Sequence, residues 1–147
     1  MLKQLKLGLI GSAEWLGGGR LLNSGWRKQR LLILCYHGVS SGDEHLWNPH
    51  LYMSAEFFRR RLEILRSREC AVLPLNQALE QLRSATLPKR SVAITFDDGA
   101  YDFLRQALPE LNRFRFPATL YLTTYYSQFQ RPVFDGMLSY LLWKGRG

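Results

Sequence analysis

Ser91-Val-Ala-Ile-Thr-Phe-Asp-Asp-Gly99 is a short apolar run that ends in two adjacent carboxylates and a glycine. The run is rich in β-branched residues and nearly free of polar ones, which is typical of a strand buried on both faces of a parallel sheet. Gly99 predicts that the strand stops there and that the chain bends.

Asp97 and Asp98 follow this predicted strand directly. Two like charges at the tip of a buried strand repel each other and lose hydration, and a cation relieves both effects. Because neighbouring side chains of an extended chain point to opposite sides, we expect two roles, one carboxylate holding a metal and the other taking a proton from a metal-bound water. A solvated Asp-Asp-Gly turn without chemistry is the alternative.

The rest of the chain alternates predicted strands with predicted helices, which indicates an α/β fold with about four parallel strands. The expected strands are residues 31–36, 71–73, 91–96 and 116–122. The expected helices begin at Ser54, at Gln77, at Asp102 and at Phe134, with Pro109 bending or dividing the third. Residues 38–49 and 123–132 are expected to be loops. Parallel strands deliver their carboxyl ends to one edge, so we expect His37 to lie near the two carboxylates.

The formal charge of the 147-residue chain is +8. The basic residues are scattered over presumed helix faces and accompany no nucleic-acid motif, so we predict a solvated surface and no nucleic-acid partner. The two cysteines, Cys35 and Cys70, lie in apolar runs without disulfide or metal spacing, and we interpret both as core thiols.

Residues 1–30 are predicted to be a separate amphipathic segment, and residues 31–147 the domain. Leu2 to Leu16 has helical spacing, and residues 1–16 allow a weak membrane contact. Glu14 interrupts what would otherwise resemble a signal peptide, and no run of about 20 apolar residues is present. The compartment therefore stays open between cytoplasm and cell envelope.

Thr95-Phe-Asp-Asp-Gly99 after a hydrophobic strand resembles the first motif of the NodB-type polysaccharide deacetylases, also called carbohydrate esterase family four. Leu31-Leu-Ile-Leu-Cys-Tyr-His-Gly-Val39 resembles the first barrel strand of many members. Cys70-Ala-Val-Leu-Pro-Leu75 and Phe116-Pro-Ala-Thr-Leu-Tyr-Leu122 resemble two later strands. The resemblance covers about residues 31–122 and implies the N-terminal part of a (β/α) barrel hydrolase.

This resemblance implies an acetylated sugar or polysaccharide as substrate and a divalent metal, usually zinc, as cofactor. It implies that Asp97 is the general base and that Asp98 is a metal ligand. His37 and Tyr125, the latter in the loop after the fourth strand, are candidate substrate contacts.

The His-x-x-x-His motif that completes the metal site in this family is missing, because no histidine follows His50. We therefore expect an incomplete domain that supplies at most one metal ligand and needs a C-terminal half. His45 and His50 are interpreted as surface histidines, with metal binding as the alternative. Two other functions stay open: magnesium-dependent phosphoryl transfer, for which no phosphate-binding loop is evident, and a non-catalytic carbohydrate-binding remnant.

Overall fold

A computed structural model describes residues 30–131 and 133–146. The strands are β1 (Leu32–Tyr36), β2 (Gly38–Val39), β3 (Tyr52–Met53), β4 (Ala71–Val72), β5 (Ser91–Phe96) and β6 (Thr119–Leu120). The α-helices are α1 (Glu44–Trp47), α2 (Ala55–Ser67), α3 (Leu75–Arg83), α4 (Leu108–Phe114), α5 (Thr124–Phe129) and α6 (Phe134–Lys144). A π-helical turn, Phe103–Ala107, precedes α4.

Strand β5 is the centre of a four-stranded parallel sheet, in which it pairs with β1, β4 and β6. All six of its residues are buried. The predicted α/β fold with a fully buried central strand is thus confirmed. Strand β1 pairs with β5 and not with β4, so the order of strands in the sheet differs from their order in the chain. Strands β2 and β3 form a separate parallel pair.

Helix α2 begins where the sequence predicts, at Ser54, whose hydroxyl oxygen accepts a hydrogen bond from the Phe57 N–H at 3.2 Å. This cap satisfies a backbone donor that the helix itself leaves unpaired. Three apolar side chains of this helix, Phe58, Leu62 and Leu65, are buried. Their spacing of three to four residues places them on one side of the helix.

An aromatic cluster joins α2 to the carboxyl ends of β1 and β5. The Phe58 ring packs edge-on against Tyr36, the last residue of β1, and against Phe96, the last residue of β5, with centroid distances of 5.4 and 5.8 Å. The Phe103 ring also packs edge-on against Phe96, with a centroid distance of 4.9 Å. The cluster therefore fixes the two strand ends from which the predicted site residues follow.

Strand β1 is exposed in its first half, and the prediction that Cys35 is a core thiol is wrong. Leu32 and Ile33 are 55% and 47% exposed, and Cys35 is also exposed, whereas Cys70 is partly buried against the core. The physical reason is that, within the described residues, β1 pairs with β5 alone and so lies at an edge of the sheet.

Helix α6 forms as predicted, but its expected apolar side is not packed. The exposed members are Met137, Leu138, Leu141 and Leu142. The helix instead contacts the domain through the Tyr140 ring, which lies 5.9 Å from that of Trp47 on α1. Leu104, in the π-helical turn, is likewise exposed.

The two predicted loops contain regular structure that the sequence did not reveal. Residues 38–49 include β2 and α1, and residues 123–132 include α5. The strand expected over residues 116–122 is reduced to β6, which has two residues. The helix containing Pro109 is divided, as predicted, into the π-helical turn and α4. Pro109 lies in the first turn of α4, where a backbone N–H has no acceptor within the α-helix, so its missing N–H costs α4 no hydrogen bond.

Across residues 30–131 and 133–146, no helix has both the length and the apolar character that crossing a bilayer requires. The predicted N-terminal segment lies outside the described residues except for Arg30. The boundary at residue 30 therefore stays a prediction.

Candidate functional site

The pairing of β1 with β5 brings the predicted site residues together. The register ends at Tyr36 opposite Phe96, and the Asp97 N–H continues the ladder by donating to the Tyr36 carbonyl at 2.9 Å. His37 and Asp97 are the residues that follow the two strand ends. The prediction that both lie at one edge of the sheet is confirmed.

The Asp97 carboxylate has two polar neighbours on β1 and just after it. The Cys35 thiol donates a hydrogen bond to Asp97 Oδ2 at 3.2 Å, and His37 Nε2 lies 3.9 Å from the same oxygen. The His37 and Asp97 side chains are 39% and 38% exposed, so water reaches both. Desolvation raises the pKa of the Cys35 thiol, and the adjacent Asp97 carboxylate adds to the rise.

Asp97 and Asp98 separate at a tight turn. The Gly99 N–H donates to the Asp97 carbonyl at 2.9 Å, which closes a three-residue turn around Asp98. Asp98 has a φ of 70° and Gly99 a φ of 67°, so the non-glycine residue itself adopts the left-handed region. Asp98 is exposed, whereas Asp97 is held beside His37. The bend that the sequence assigned to Gly99 thus begins one residue earlier.

Gly99→Ala is expected to destabilise the fold by about 1–3 kcal/mol. The φ of 67° disfavours any side chain, and an added Cβ would lie 2.4 Å from Leu122 Cδ1. The matched control is Gly136→Ala in α6, where an added Cβ meets nothing within 4 Å and a helix gains about 1 kcal/mol from alanine. Urea denaturation should therefore show opposite signs for the two variants. Equal changes in the free energy of unfolding would contradict the strain at Gly99.

Asp102 is a site-supporting residue that sequence reasoning took only for the start of a helix. Its Oδ2 accepts a hydrogen bond from the Val39 N–H at 2.7 Å, which ties the segment after His37 to the helix after the carboxylates. Gly38 fits against this contact, since an added Cβ would lie 3.1 Å from Asp102 Oδ2. Burial raises the pKa of the Asp102 carboxyl.

Asp102→Asn is expected to gain stability relative to the parent chain as the pH rises. Because the pKa of Asp102 is higher in the folded than in the unfolded state, ionising this carboxyl lowers the stability of the folded state. This loss of stability is absent below the ordinary pKa of 3.8 and develops as the pH rises through the raised pKa. The amide cannot ionise, and its oxygen still accepts from Val39. The difference in Tm, variant minus parent, should be larger near neutral pH than below pH 3.8. A pH-independent difference would contradict this assignment.

A cavity of about 520 Å³ opens beside Cys35 and His37, the two polar neighbours of Asp97. Its lining includes Cys35 and His37 together with His45, His50 and Tyr52. The interpretation of His45 as a plain surface histidine is incomplete, because the side chain is half-buried and its Nδ1 is shielded from solvent without a hydrogen-bond partner in the described residues. His50 is exposed, as expected. All three histidines of the chain therefore face one cavity, which the sequence did not predict.

Tyr125 lies on α5, not in a loop. It is 54% exposed, and its ring contacts those of Tyr126 and Phe129 at centroid distances of 5.4 and 5.1 Å. It does not belong to the lining of the cavity described above. Its role in substrate contact stays a prediction.

The metal site implied by the family resemblance does not form around Asp98 in the described residues. The one group of three ligand-type side chains found there consists of Cys35, His37 and Asp97, and Asp98 is not a member. The three histidines line the cavity, and Asp98 is not among its lining residues. Asp98 thus offers a single exposed carboxylate.

Comparison with known proteins gives a partial family match. Residues 84–138, well under half of the chain, match the polysaccharide deacetylase family model. A solved structure of IcaB from Ammonifex degensii is similar at 28% identity with a TM-score of 0.55, over 63% of this chain and 37% of that one. A comparison with curated protein sequences gives no match.

Two further solved structures share the fold at lower identity. Streptococcus pyogenes deacetylase PplD, solved in complex with acetate, has 24% identity and a TM-score of 0.61, over 73% of this chain and 50% of that one. A de-N-acetylase from Aggregatibacter actinomycetemcomitans has 23% identity and a TM-score of 0.52, over 61% and 36%. The alignments span half or less of each of these three structures.

The matched segment contains β5's carboxyl end, the two carboxylates and the helix that follows them. The structures named above share the α/β fold on which these residues are mounted. The sequence match and the fold together make this chain similar, over part of its length, to polysaccharide deacetylases.

Proposed function

We propose that this chain is part of a carbohydrate deacetylase, a hydrolase that removes the acetyl group from N-acetylated sugars or polysaccharides. The observation that carries the proposal is the position of Asp97. Its half-exposed carboxylate lies at the carboxyl end of the buried central strand, within 4 Å of Cys35 and His37 and next to a cavity. The family match includes this residue.

In the proposed reaction Asp97 is the general base. A water molecule attacks the acetyl carbonyl carbon while the carboxylate takes its proton, and the C–N bond then breaks to give acetate and a free amine, which takes up a proton. The exposure of Asp97 admits water to the carboxylate. The Cys35 hydrogen bond and the nearby imidazole restrict its orientation, and His37 is the proposed substrate contact.

Asp98 is the proposed metal ligand, with zinc as the metal that the family resemblance implies. Among residues 30–131 and 133–146 no histidine joins it in a three-ligand group. The reaction steps above therefore use only Asp97. A metal bound at Asp98 would need further ligands from outside the described residues.

The proposal includes a larger domain to which residues 31–147 contribute the N-terminal portion. Two observations support a C-terminal half that packs against this one: the exposed apolar residues Leu32 and Ile33 at the β1 edge, and the exposed apolar side of α6. The alignment with IcaB spans 37% of that protein. In such a domain Tyr125, exposed on α5, would be available to stack on a sugar ring.

A non-catalytic carbohydrate-binding role is the second candidate. It is favoured by one observation: in the described part of the chain, Asp98 belongs to no group of three ligand-type side chains. In that case the cavity beside His37 would still hold a sugar, but no acetate would be released.

The test is acetate release from N-acetylglucosamine oligomers by a domain that contains residues 31–147. We expect acetate and free amine to appear in equal amounts, because one C–N bond gives one of each. O-acetylated, N-unsubstituted oligomers are the matched control for the bond that is cleaved. Oligomer binding without acetate release would support the non-catalytic role and reject the deacetylase.

A further inference from the structure

We infer that Cys35, His37 and Asp97 form a binding site for a zinc-like, thiol-seeking divalent cation, distinct from the carboxylate of Asp98. Cys35 and His37 are two residues apart at the end of β1, so both side chains point to the same face of the strand. Asp97 follows the neighbouring strand β5 in register. Sulfur, imidazole nitrogen and carboxylate oxygen are the three donor types that zinc takes from proteins.

The ligand atoms are close to the spacing that a tetrahedral ion needs. Bonds of about 2.3 Å to sulfur and about 2.0–2.1 Å to nitrogen and oxygen separate the ligand atoms by roughly 3.3–3.6 Å. Here Cys35 Sγ is 3.2 Å and His37 Nε2 is 3.9 Å from Asp97 Oδ2, and all three atoms lie within 4.8 Å of one another. We expect side-chain rotation to bring the three atoms onto one ion, because the three residues lie at adjacent ends of paired strands.

The surroundings leave a fourth position open. Cys35 and His37 line the cavity of about 520 Å³, so a water molecule or a ligand can complete the coordination. Three protein ligands with one open position is the arrangement of catalytic rather than structural zinc sites. His45 also faces this cavity, and its buried Nδ1 has no hydrogen-bond partner among residues 30–131 and 133–146. On binding, the Cys35 S–H bond breaks, its proton passes to solvent, and the sulfur electron pair forms the bond to the metal.

This site has a consequence for the proposed reaction, and that consequence alone rests on the proposed function. The ion would bind the Asp97 carboxylate, which in the proposed reaction takes a proton from water. A thiol-seeking cation would therefore inhibit acetate release, and Cys35→Ser would relieve the inhibition. The metal-binding test below needs no activity, so failure of the site and failure of the deacetylase proposal are distinguishable.

The test is titration of the metal-free full chain with Co²⁺ and Cd²⁺, followed through the sulfur-to-metal charge-transfer absorption. We expect this absorption to saturate at one ion per chain in the parent protein. It should disappear in Cys35→Ser and persist in Cys70→Ala, which removes the one other cysteine. Mg²⁺, which prefers oxygen ligands, should not compete.

Three more variants separate this site from the one that the family resemblance implies. His37→Ala and Asp97→Asn should each weaken binding by at least about 100-fold, since even outer-shell changes at metal sites cost 10- to 100-fold. Asp98→Asn should bind as the parent does. Circular dichroism checks that each variant is folded. Absence of the absorption in the parent protein, its persistence in Cys35→Ser, or its loss in Asp98→Asn would overturn the inference.

Discussion

Asp97→Asn is expected to lower the rate of acetate release from N-acetylglucosamine oligomers by about 100- to 10,000-fold, the range over which a positioned general base contributes. The amide keeps the shape of the carboxylate and its place at the end of β5, but it cannot take a proton from water. Because the Asp97 side chain is 38% exposed, the substitution leaves no buried unpaired group. The loss should therefore appear in kcat, with the fold intact.

The matched control is Asp135→Asn, which removes an exposed carboxylate from the first turn of α6. It should retain the parent rate and a similar free energy of unfolding. Both variants are assayed in a domain that contains residues 31–147, by enzymatic detection of acetate. A parent-like rate for Asp97→Asn would remove Asp97 from the role of general base, even if the domain proves to be a deacetylase.

Phe58→Ala is expected to destabilise the fold by about 3–5 kcal/mol, the typical cost of deleting a fully buried aromatic ring. Phe58 has no exposed surface, and its ring contacts both Tyr36 and Phe96. The deletion removes apolar contact area and leaves a cavity that the sheet on one side and α2 on the other cannot easily close. Urea denaturation at constant pH gives the free energy of unfolding for comparison.

The preceding residue provides the control. Phe57 has the same side chain on the same helix but is 49% exposed, with the Arg61 guanidinium 4.9 Å from its ring centre. Phe57→Ala should therefore cost about 1 kcal/mol or less. Similar losses for the two variants would mean that the aromatic cluster is not the core that holds the two strand ends in place.

The inferred cation site shows why the sequence underestimated this chain's own ligands. Cys35 lies in an apolar run and reads as a core thiol, yet it is exposed because β1 lies at the edge of the sheet in the described residues. The spacing Cys35-Tyr36-His37 was the signal that two donors share one face of a strand end. Those two donors indicate a metal site only because the pairing of β1 with β5 places Asp97 beside them.

The sequence alone was sufficient to predict those strands and helices whose residues follow a single local pattern over their whole length. β5 was predictable because a continuous β-branched run followed by Asp-Asp-Gly fits only a buried strand with a sharp end, and α2 because Ser54 caps a helix with regular apolar spacing. The family resemblance also rested on these local motifs. Short elements such as α5 and β2 were missed because a few residues carry too little periodicity to distinguish a helical turn or a bridge from a loop.

Contacts between distant segments were decided by the tertiary structure only. The pairing of β1 with β5 places Cys35 and His37 against Asp97, the Val39–Asp102 hydrogen bond ties their loops together, and three histidines that are distributed over residues 37–50 face one cavity. Burial was equally nonlocal: Leu32 and Ile33 of β1 and several apolar residues of α6 are exposed because no described segment covers them. Periodicity states which residues share a face, but a residue is buried only where another part of the fold packs on that face.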